Sequence, residues 1–471
     1  MKKIFKSIFF YSYLSTFLNL VTPLILFPVI SNALGPEGLG MYAWLENFTK
    51  YFCVLGALGI PLYGVRLIAQ KEDIKKSFTE LFTLNIFTTF ISISIYLIIV
   101  NIFYESKELY FLILISPLIV FNSINFDWYF HGLQNFKHIA KKIFFSRIIY
   151  LVLIINLVKS INDIDKYIVI NIIYSILIIT LSINKLKFDK KISLSGALRH
   201  FKPTLTLGLS QFSILIYVFS DIFILGIYSS KIDIGLYSFG TKFSYIGTIL
   251  IGVLAATFLP KLSSIVNEKL IFDKLFKEIF DIVFSLGLII SLIIYLSSNT
   301  LIHVFGNDLF SKSLLVIKIC SILPLIIGLN EVIGKLYFIS NKKDEMFSKL
   351  LIFGMFLNLF LNFIFIPKFS YFGAFSTTIF TEITLLLLFL YFSGLSKLIF
   401  IKKEIISNLF FIFFLLLTSF FLIYINDSFE NYHILKLIIN IFSLFIIFII
   451  HKKTQLKKIL QYENNNRGSY T

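Results

Sequence analysis

Residues 8–30 read IFFYSYLSTFLNLVTPLILFPVI, a run of 23 positions without a charged side chain. About 20 mainly apolar residues cross the hydrocarbon of a bilayer as a helix. The preceding MKKIFK imitates the start of a signal peptide. The run is nevertheless longer than the roughly 7–15 residues of a secretory h-region, and no A-x-A cleavage site follows, so we expect a retained first span and no export beyond the inner membrane. Hydrocarbon supplies no hydrogen-bond partner, so such a segment satisfies its backbone internally as a helix. An outer-membrane barrel would instead alternate apolar and polar residues in segments of about ten.

Working outward, the same length rule places fourteen spans, at 8–31, 41–62, 78–103, 108–131, 143–159, 166–184, 204–228, 235–259, 278–300, 313–340, 347–367, 371–394, 405–426 and 434–451. The composition agrees: 57% of residues are hydrophobic, only 15% are charged and the mean hydropathy is +0.87, whereas an ordinary globular domain has roughly 25% charged residues. A soluble fold could not hide that much apolar surface. The expected class is therefore an all-α polytopic membrane protein with the lipid bilayer as its solvent. The net charge of +17 does not signal nucleic acid, because the Lys and Arg residues lie between apolar runs and form no single basic patch.

Those cations orient the chain, since cytoplasmic loops carry the Lys/Arg excess. Most of the 43 Lys and Arg fall in the two ends and the even-numbered connections, among them Arg66, Lys71, Lys75 and Lys76, then Lys185, Lys187, Lys190, Lys191, Arg199 and Lys202. The odd-numbered connections hold only Lys107, Lys159, Lys166, Lys231, Lys312, Lys368 and Lys436. Both termini are expected in the cytoplasm. The stretch 185–203 divides the first twelve spans into equal sets, and short matches relate the sets. Gly40-Met41-Tyr42 and Gly235-Leu236-Tyr237 each open a span; Tyr129-Phe130 and Tyr337-Phe338 each precede a basic loop. Together with the topology this suggests a duplication, with substrate between the halves. The organisation expected is a six-helix lobe over 1–184, a cytoplasmic connection over 185–203, a second six-helix lobe over 204–394, two further helices over 395–451 and a cytoplasmic tail over 452–471.

Ionisable residues inside spans carry the functional argument. A charge in the hydrocarbon costs about 2.5–3.5 kcal/mol on insertion scales, so it usually faces the bundle interior. The cations so placed are Lys50, Lys242, Lys318 and Lys335; the acids are Glu46, Asp127, Asp221, Glu331 and Glu382. Glu46/Lys50 and Glu331/Lys335 are i,i+4 pairs in the favourable order, so each could simply neutralise itself. Lys242 and Lys318 have no in-helix partner of that kind. At about 1.5 Å per residue, Asp221 and Lys242 lie roughly 10 Å below the outer ends of their spans, at the depth of Glu46 and Lys50, which outlines a charged belt in a cavity. Arg66, His131 and Arg147 fall at cytoplasmic ends, where positive-inside anchoring or an interfacial His accounts for them as well as ligand contact does. Trp128 and Tyr129 read as an interfacial aromatic belt.

Nothing argues for covalent chemistry. Gly35-Pro36-Glu37-Gly38-Leu39-Gly40 is no dinucleotide or Walker pattern and reads as a tight outer turn. No catalytic motif is found with its required context. Cys53 and Cys320, both inside apolar runs, read as buried hydrophobes, with no disulfide framework and no metal.

Two stretches resemble a known family. Leu34-Gly35-Pro36-Glu37-Gly38-Leu39-Gly40-Met41-Tyr42, followed by Leu58-Gly59-Ile60-Pro61-Leu62-Tyr63-Gly64-Val65-Arg66 and Ile68-Ala69, is similar to the N-terminal signature of the polysaccharide repeat-unit flippases. These belong to the multidrug/oligosaccharidyl-lipid/polysaccharide exporter superfamily. Asp127-Trp128-Tyr129-Phe130-His131-Gly132-Leu133-Gln134-Asn135-Phe136-Lys137 resembles the family's exit from the fourth span, with His131 where Gln is usual. The resemblance implies twelve core helices plus two. It also implies an undecaprenyl-diphosphate-linked O-antigen or capsule unit as substrate, moved from the cytoplasmic to the periplasmic leaflet of a bacterial inner membrane. Cavity cations would meet the diphosphate, an acid would carry a coupling proton or sodium ion, and a polysaccharide polymerase and chain-length machinery would act next. Two alternatives stand beside it: a multidrug exporter of the same superfamily, and a polysaccharide polymerase, for which the outer loops are short.

Overall fold

A helix in lipid must satisfy its terminal carbonyl and amide groups as well as its middle, and the ends of these helices show how it is done. The computed structural model describes residues 2–70, 73–189, 194–395, 415, 417–419, 422 and 433–447, and all regular structure among them is helical. The chain divides into two compact units, Met1–Gly235 and Leu236–Thr471.

The first unit holds α1 (Lys2–Ala57), α2 (Ile60–Ala69), α3 (Ile74–Phe103), α4 (Ser106–Ile115), α5 (Pro117–Ser123), α6 (Asp127–Gly132), α7 (Phe136–Leu157), α8 (Ile164–Ile183), α9 (Leu194–Leu198) and α10 (Phe201–Tyr228). α1 is two helices broken at Gly35, whose φ of 63° and ψ of −175° turn the chain just before Pro36. This is the tight turn expected from the glycines. α1 packs on α3, α5, α7 and α10. Its orphaned C-terminal carbonyl at Gly56 accepts from Asn85 Nδ2 at 3.1 Å and Thr88 Oγ1 at 2.6 Å, both on α3. Ser92 Oγ donates to Phe52 O at 2.7 Å and Ser123 Oγ to Cys53 O at 3.0 Å. Polar side chains thus bind helix to helix where hydrophobicity gives no preference over lipid. Cys53 and Cys320 are buried, as expected.

α11 (Lys231–Ser264) leaves the first unit after its first turn. The second unit continues with α12 (Lys269–Leu296), α13 (Ser298–Phe305), α14 (Ser313–Cys320), α15 (Leu323–Asn330), a π-helical segment (Glu331–Ile339), α16 (Asp344–Phe369) and α17 (Tyr371–Ser393). A last helix, α18 (His433–Ile447), lies on α12 through Leu444 against Ile282 and Ile289, and Asn440 Nδ2 donates to Ser297 Oγ at 2.9 Å.

Ten described helical stretches are long and apolar enough to cross a membrane; one of them, Phe10–Ala69, contains the first two expected spans. The fifth expected span falls on α7, which starts seven residues earlier, at Phe136, and is not one of those ten. The thirteenth expected span lies largely outside the described residues, as do Lys71, Lys190, Lys191 and the tail.

The aromatic residues at the fourth-span exit depart from expectation. Trp128 and Tyr129 are core residues, 4% and 0% exposed, and not an interfacial belt. They pack with Phe78 and Ile139, and Gly64 lies against the indole so closely that a Cβ there would meet Trp128 Cζ3 at 2.8 Å. The short helix α6 folds them inward.

α10 is fastened to the first unit at its start. Gly59, with φ +72°, has no room for a side chain beside Gly208 N and Thr204 O, and a Cβ on Gly208 would meet Leu58 C at 2.9 Å. Gly59→Ala should therefore destabilise the first unit by at least ~2 kcal/mol, from left-handed strain and overlap together. Heat- or SDS-induced unfolding in detergent measures the loss; unchanged stability would contradict the contact.

Candidate functional site

In the first unit, Tyr42, Glu46 and Lys50 follow one another at four-residue intervals and so line one face of α1. Lys50 Nζ lies 3.0 Å from Glu46 Oε1 with both side chains a little over one-third exposed, and 4.9 Å from the Phe219 ring of α10. The Tyr42 ring contacts Tyr167 of α8 at a centroid distance of 4.4 Å. Tyr150 of α7 donates from its hydroxyl to Asn171 Oδ1 at 3.0 Å and contacts the Tyr174 ring at 5.0 Å. Arg147 sits over Tyr174 at 4.7 Å and donates to Asn19 Oδ1 at 3.3 Å, and its Nε–H is buried without a hydrogen-bond partner. The result is a ladder of tyrosines and amides between α1, α7 and α8, with a cation toward either end.

Arg147 lies eleven residues inside α7, about 16 Å along its axis, so the helix's early start removes it from the terminal position expected. Among the described residues, aromatic faces and no carboxylate pair with its guanidinium, an arrangement that leaves donors for a ligand. Tyr167, Asn171 and Tyr174 were legible as an i, i+4, i+7 polar stripe along the helix.

Asp127 pairs with Lys142 of α7, a cation that the charge count assigned to a loop. Lys142 is 2% exposed, and its ammonium also donates to Ser182 Oγ at 3.1 Å. Asp221 is buried on α10. Arg66 is exposed, 6.0 Å from the Tyr63 ring, and His131 is exposed with its ring 5.5 Å from Phe136.

In the second unit Lys242 is exposed on α11, and Lys318 is half-buried with its ammonium 5.9 Å from the Tyr295 ring. Glu331 and Lys335 form their pair at 3.1 Å on the π-helical segment. Glu382, 6% exposed, accepts from Asn330 Nδ2 at 2.7 Å.

The connection between α8 and α10 reveals an acid that the survey of spans passed over. Glu80 of α3 is 2% exposed and takes Arg199 in an ion pair and His200 Nε2 at 3.1 Å. Tyr63 Oη lies 3.0 Å from His200 Nδ1, and Arg199 Nε 3.3 Å from Nε2. Asp189 N donates to Thr79 Oγ1 at 2.8 Å. The connection is thus clamped to α2 and α3. Glu80 was readable in the sequence, because it falls inside the third expected span.

A family profile described as "Polysaccharide biosynthesis protein" matches residues 5–266, more than half of the chain. The chain belongs to that family. It is 25% identical over 392 residues to "Putative O-antigen transporter" of Escherichia coli (strain K12), covering 81% of this chain and 94% of the other. Among solved structures, the fold is similar to the lipid II flippase MurJ in an inward closed conformation, with a TM-score of 0.69, 18% identity and coverage of 95% of this chain and 100% of that one. It is also similar to an inward-facing multidrug resistance MATE family transporter of the MOP superfamily, with a TM-score of 0.64, 14% identity and coverage of 82% and 95%. These two likenesses establish the fold.

Two tests follow from the clusters. Asp127→Asn strands Lys142 as a buried charge and should cost about 3–5 kcal/mol in detergent unfolding, whereas adding Lys142→Met should recover most of it. The clamp should depend on pH. Burial, with help from Arg199, holds the His200 ring below its ordinary 6.5 against the opposing pull of Glu80. The native state then takes up the proton less readily than the unfolded chain, so the clamp is intact above about pH 6.5 and weakens as pH falls below it. Amide exchange over residues 194–204 should quicken across that window, and His200→Gln should flatten the response.

Proposed function

We propose that this protein is a flippase for lipid-linked oligosaccharide. Its substrate on this reading is an undecaprenyl-diphosphate-linked repeat unit of O-antigen or capsule, and it works by alternating access in a bacterial inner membrane with both termini in the cytoplasm. The observation that carries the reading is the ladder in the first unit. Lys50 and Arg147 supply cations within reach of solvent, as a diphosphate requires, and the buried rings of Tyr42, Tyr150 and Tyr167, with the half-buried Tyr174, back them as an amphipathic wall. Family membership and the O-antigen relative support the same substrate class.

Lys242, Lys318 and Lys335 are further candidate phosphate contacts. Glu46, Asp221, Glu331 and Glu382 are candidates for the residue that carries a coupling proton or sodium ion; Asp221 and Glu382 are held away from water, where an acid changes charge at the cost of a local rearrangement. The delivered unit would pass to a polymerase and its chain-length machinery. The protein on this reading makes and breaks no covalent bond.

Arg147→Ala and Lys50→Ala, each expressed in a strain lacking its own flippase, should lower surface polysaccharide at least ~10-fold, the cost of losing about 1.4 kcal/mol from a charge-assisted contact. Single lipid-linked units should accumulate on the cytoplasmic face. Full surface polysaccharide in both variants, at normal membrane levels, would remove the ladder from the mechanism. Accumulation on the periplasmic face instead would point to a polymerase, and altered drug susceptibility on deletion would point to a drug exporter.

A further inference from the structure

The ion pairs of this chain differ in how much water they meet. Asp127 with Lys142 is a fastening, the lysine side chain being 1% exposed, whereas Glu345 with Lys349 lies in the open at 84% and 67%. Glu46 with Lys50 falls between these limits, at 38% and 37%. The second unit repeats the arrangement, with Glu331 at 33% and Lys335 at 40%, again four residues apart and in contact at 3.1 Å. A pair kept for stability alone would be dry, and a fully exposed one would add little. A pair inside a span that stays one-third open can exchange its partner.

Glu46 and Lys50 can hold four combinations of proton and anion. Without either ligand the site is neutral, because the carboxylate lies 3.0 Å from the ammonium. With an anion on Lys50 and a proton on Glu46 it is balanced again. A proton alone leaves Lys50 bare. An anion alone sets two negative charges within about 6 Å, one contact of 3.0 Å and one charge-assisted bond of about 2.8 Å. Excess charge among apolar helices makes the two mixed states the costly ones. Proton and anion therefore favour each other's binding, by the same factor in both directions. Lys50 has three donors, and on its far side stands the Phe219 ring at 4.9 Å, which accepts no ordinary hydrogen bond. Among the described residues, the other titratable groups in electrostatic reach of Glu46 are Tyr42 and Cys53 on α1, Tyr150 on α7 and Tyr167 on α8. Arg147 acts on Tyr150, and Asp221 of α10 acts on Tyr51. Tyrosine and cysteine stay neutral in acid and arginine stays charged, so Glu46 is the group on this face whose charge follows pH.

We propose that Glu46 and Lys50 form a single linked site, which takes up a phosphate-bearing anion and a proton together. The proposal rests on the flippase reading above and names the coupling residue of the first unit. The proton passes from water to the Glu46 carboxylate as the anion's oxygens replace that carboxylate on Lys50, and no covalent bond of the ligand changes. The ligand chemistry is a diphosphate, whether borne by a lipid or free.

The test measures binding to the full-length protein in detergent with two probes, farnesyl diphosphate and inorganic diphosphate. At about pH 8, Glu46→Gln should bind farnesyl diphosphate at least ~10-fold more tightly than the parent, the effect of removing one nearby like charge. The gap should narrow as pH is lowered to about 4.5, through the ordinary range of a glutamate. Comparing variant with parent at each pH cancels the titration of the diphosphate itself. The same pattern with inorganic diphosphate assigns recognition to the anion alone, and its restriction to farnesyl diphosphate assigns it to the lipid-linked form; either upholds the linked site. If Glu46→Gln does not reach the membrane, inorganic sulfate, whose charge is constant over this range, serves on the parent: its affinity should rise as pH falls. Equal diphosphate affinity of parent and Glu46→Gln at every pH, or a flat sulfate profile, would overturn the linked site and leave the flippase reading standing. No binding of either diphosphate at any pH would overturn both. Linkage in detergent with surface polysaccharide undiminished in Lys50→Ala would uphold the site and count against the flippase reading instead.

Discussion

The cost of leaving a polar group unpaired in hydrocarbon governs this protein at every scale. It makes each span a helix, since only there does the backbone bond to itself. It also fixes how helices meet. The carbonyl of Gly56 has no partner in its own helix, and Asn85 and Thr88 of the next helix take it. Ser92 and Ser123 serve neighbouring carbonyls of the same helix. Leu and Phe hold no preference between lipid and protein, and these bonds with the close glycine contacts supply the preference instead.

The same cost separates charges that build the fold from charges able to act. Lys142 and Glu80 are almost fully buried and are met by partners on other elements, Asp127 and Ser182 for the first and Arg199 and His200 for the second. They are fastenings. Lys50 keeps about one-third of its side chain accessible, and Arg147 rests on ring faces with a donor unfilled. Such groups can take up and release an anion, because neither state leaves a bare charge in an apolar place.

Much of this could be read in advance. The apolar runs place helix after helix correctly because their length answers to the bilayer's thickness, a constraint each segment meets alone. The Gly35-Pro36 turn was legible because few residues accept a φ of 63°. The family showed in Leu34–Tyr42 and Leu58–Ala69, whose glycines mark the turn at Gly35, the close contact of Gly40 with Gly235 and the crossing at Gly59. The site was legible in part: Glu46 with Lys50 and Glu331 with Lys335 form as their spacing requires. Lys142, Glu80 and the tyrosine ladder were missed, since charge counting sorts residues by position along the chain, while burial depends on what another segment places beside them.

The sequence by itself determined the class, the helical segments and the inventory of charges inside the membrane, because these depend on the affinity of short segments for water or lipid. Only the tertiary structure decided the partners. It drew Lys142 out of a loop into a pair with Asp127, turned Trp128 and Tyr129 from a supposed belt into core, and set Arg147 on its aromatic bed. It also made the sequence match between Gly40 and Gly235 a physical contact. Hydropathy belongs to a segment; pairing belongs to two, and the second is chosen by the fold.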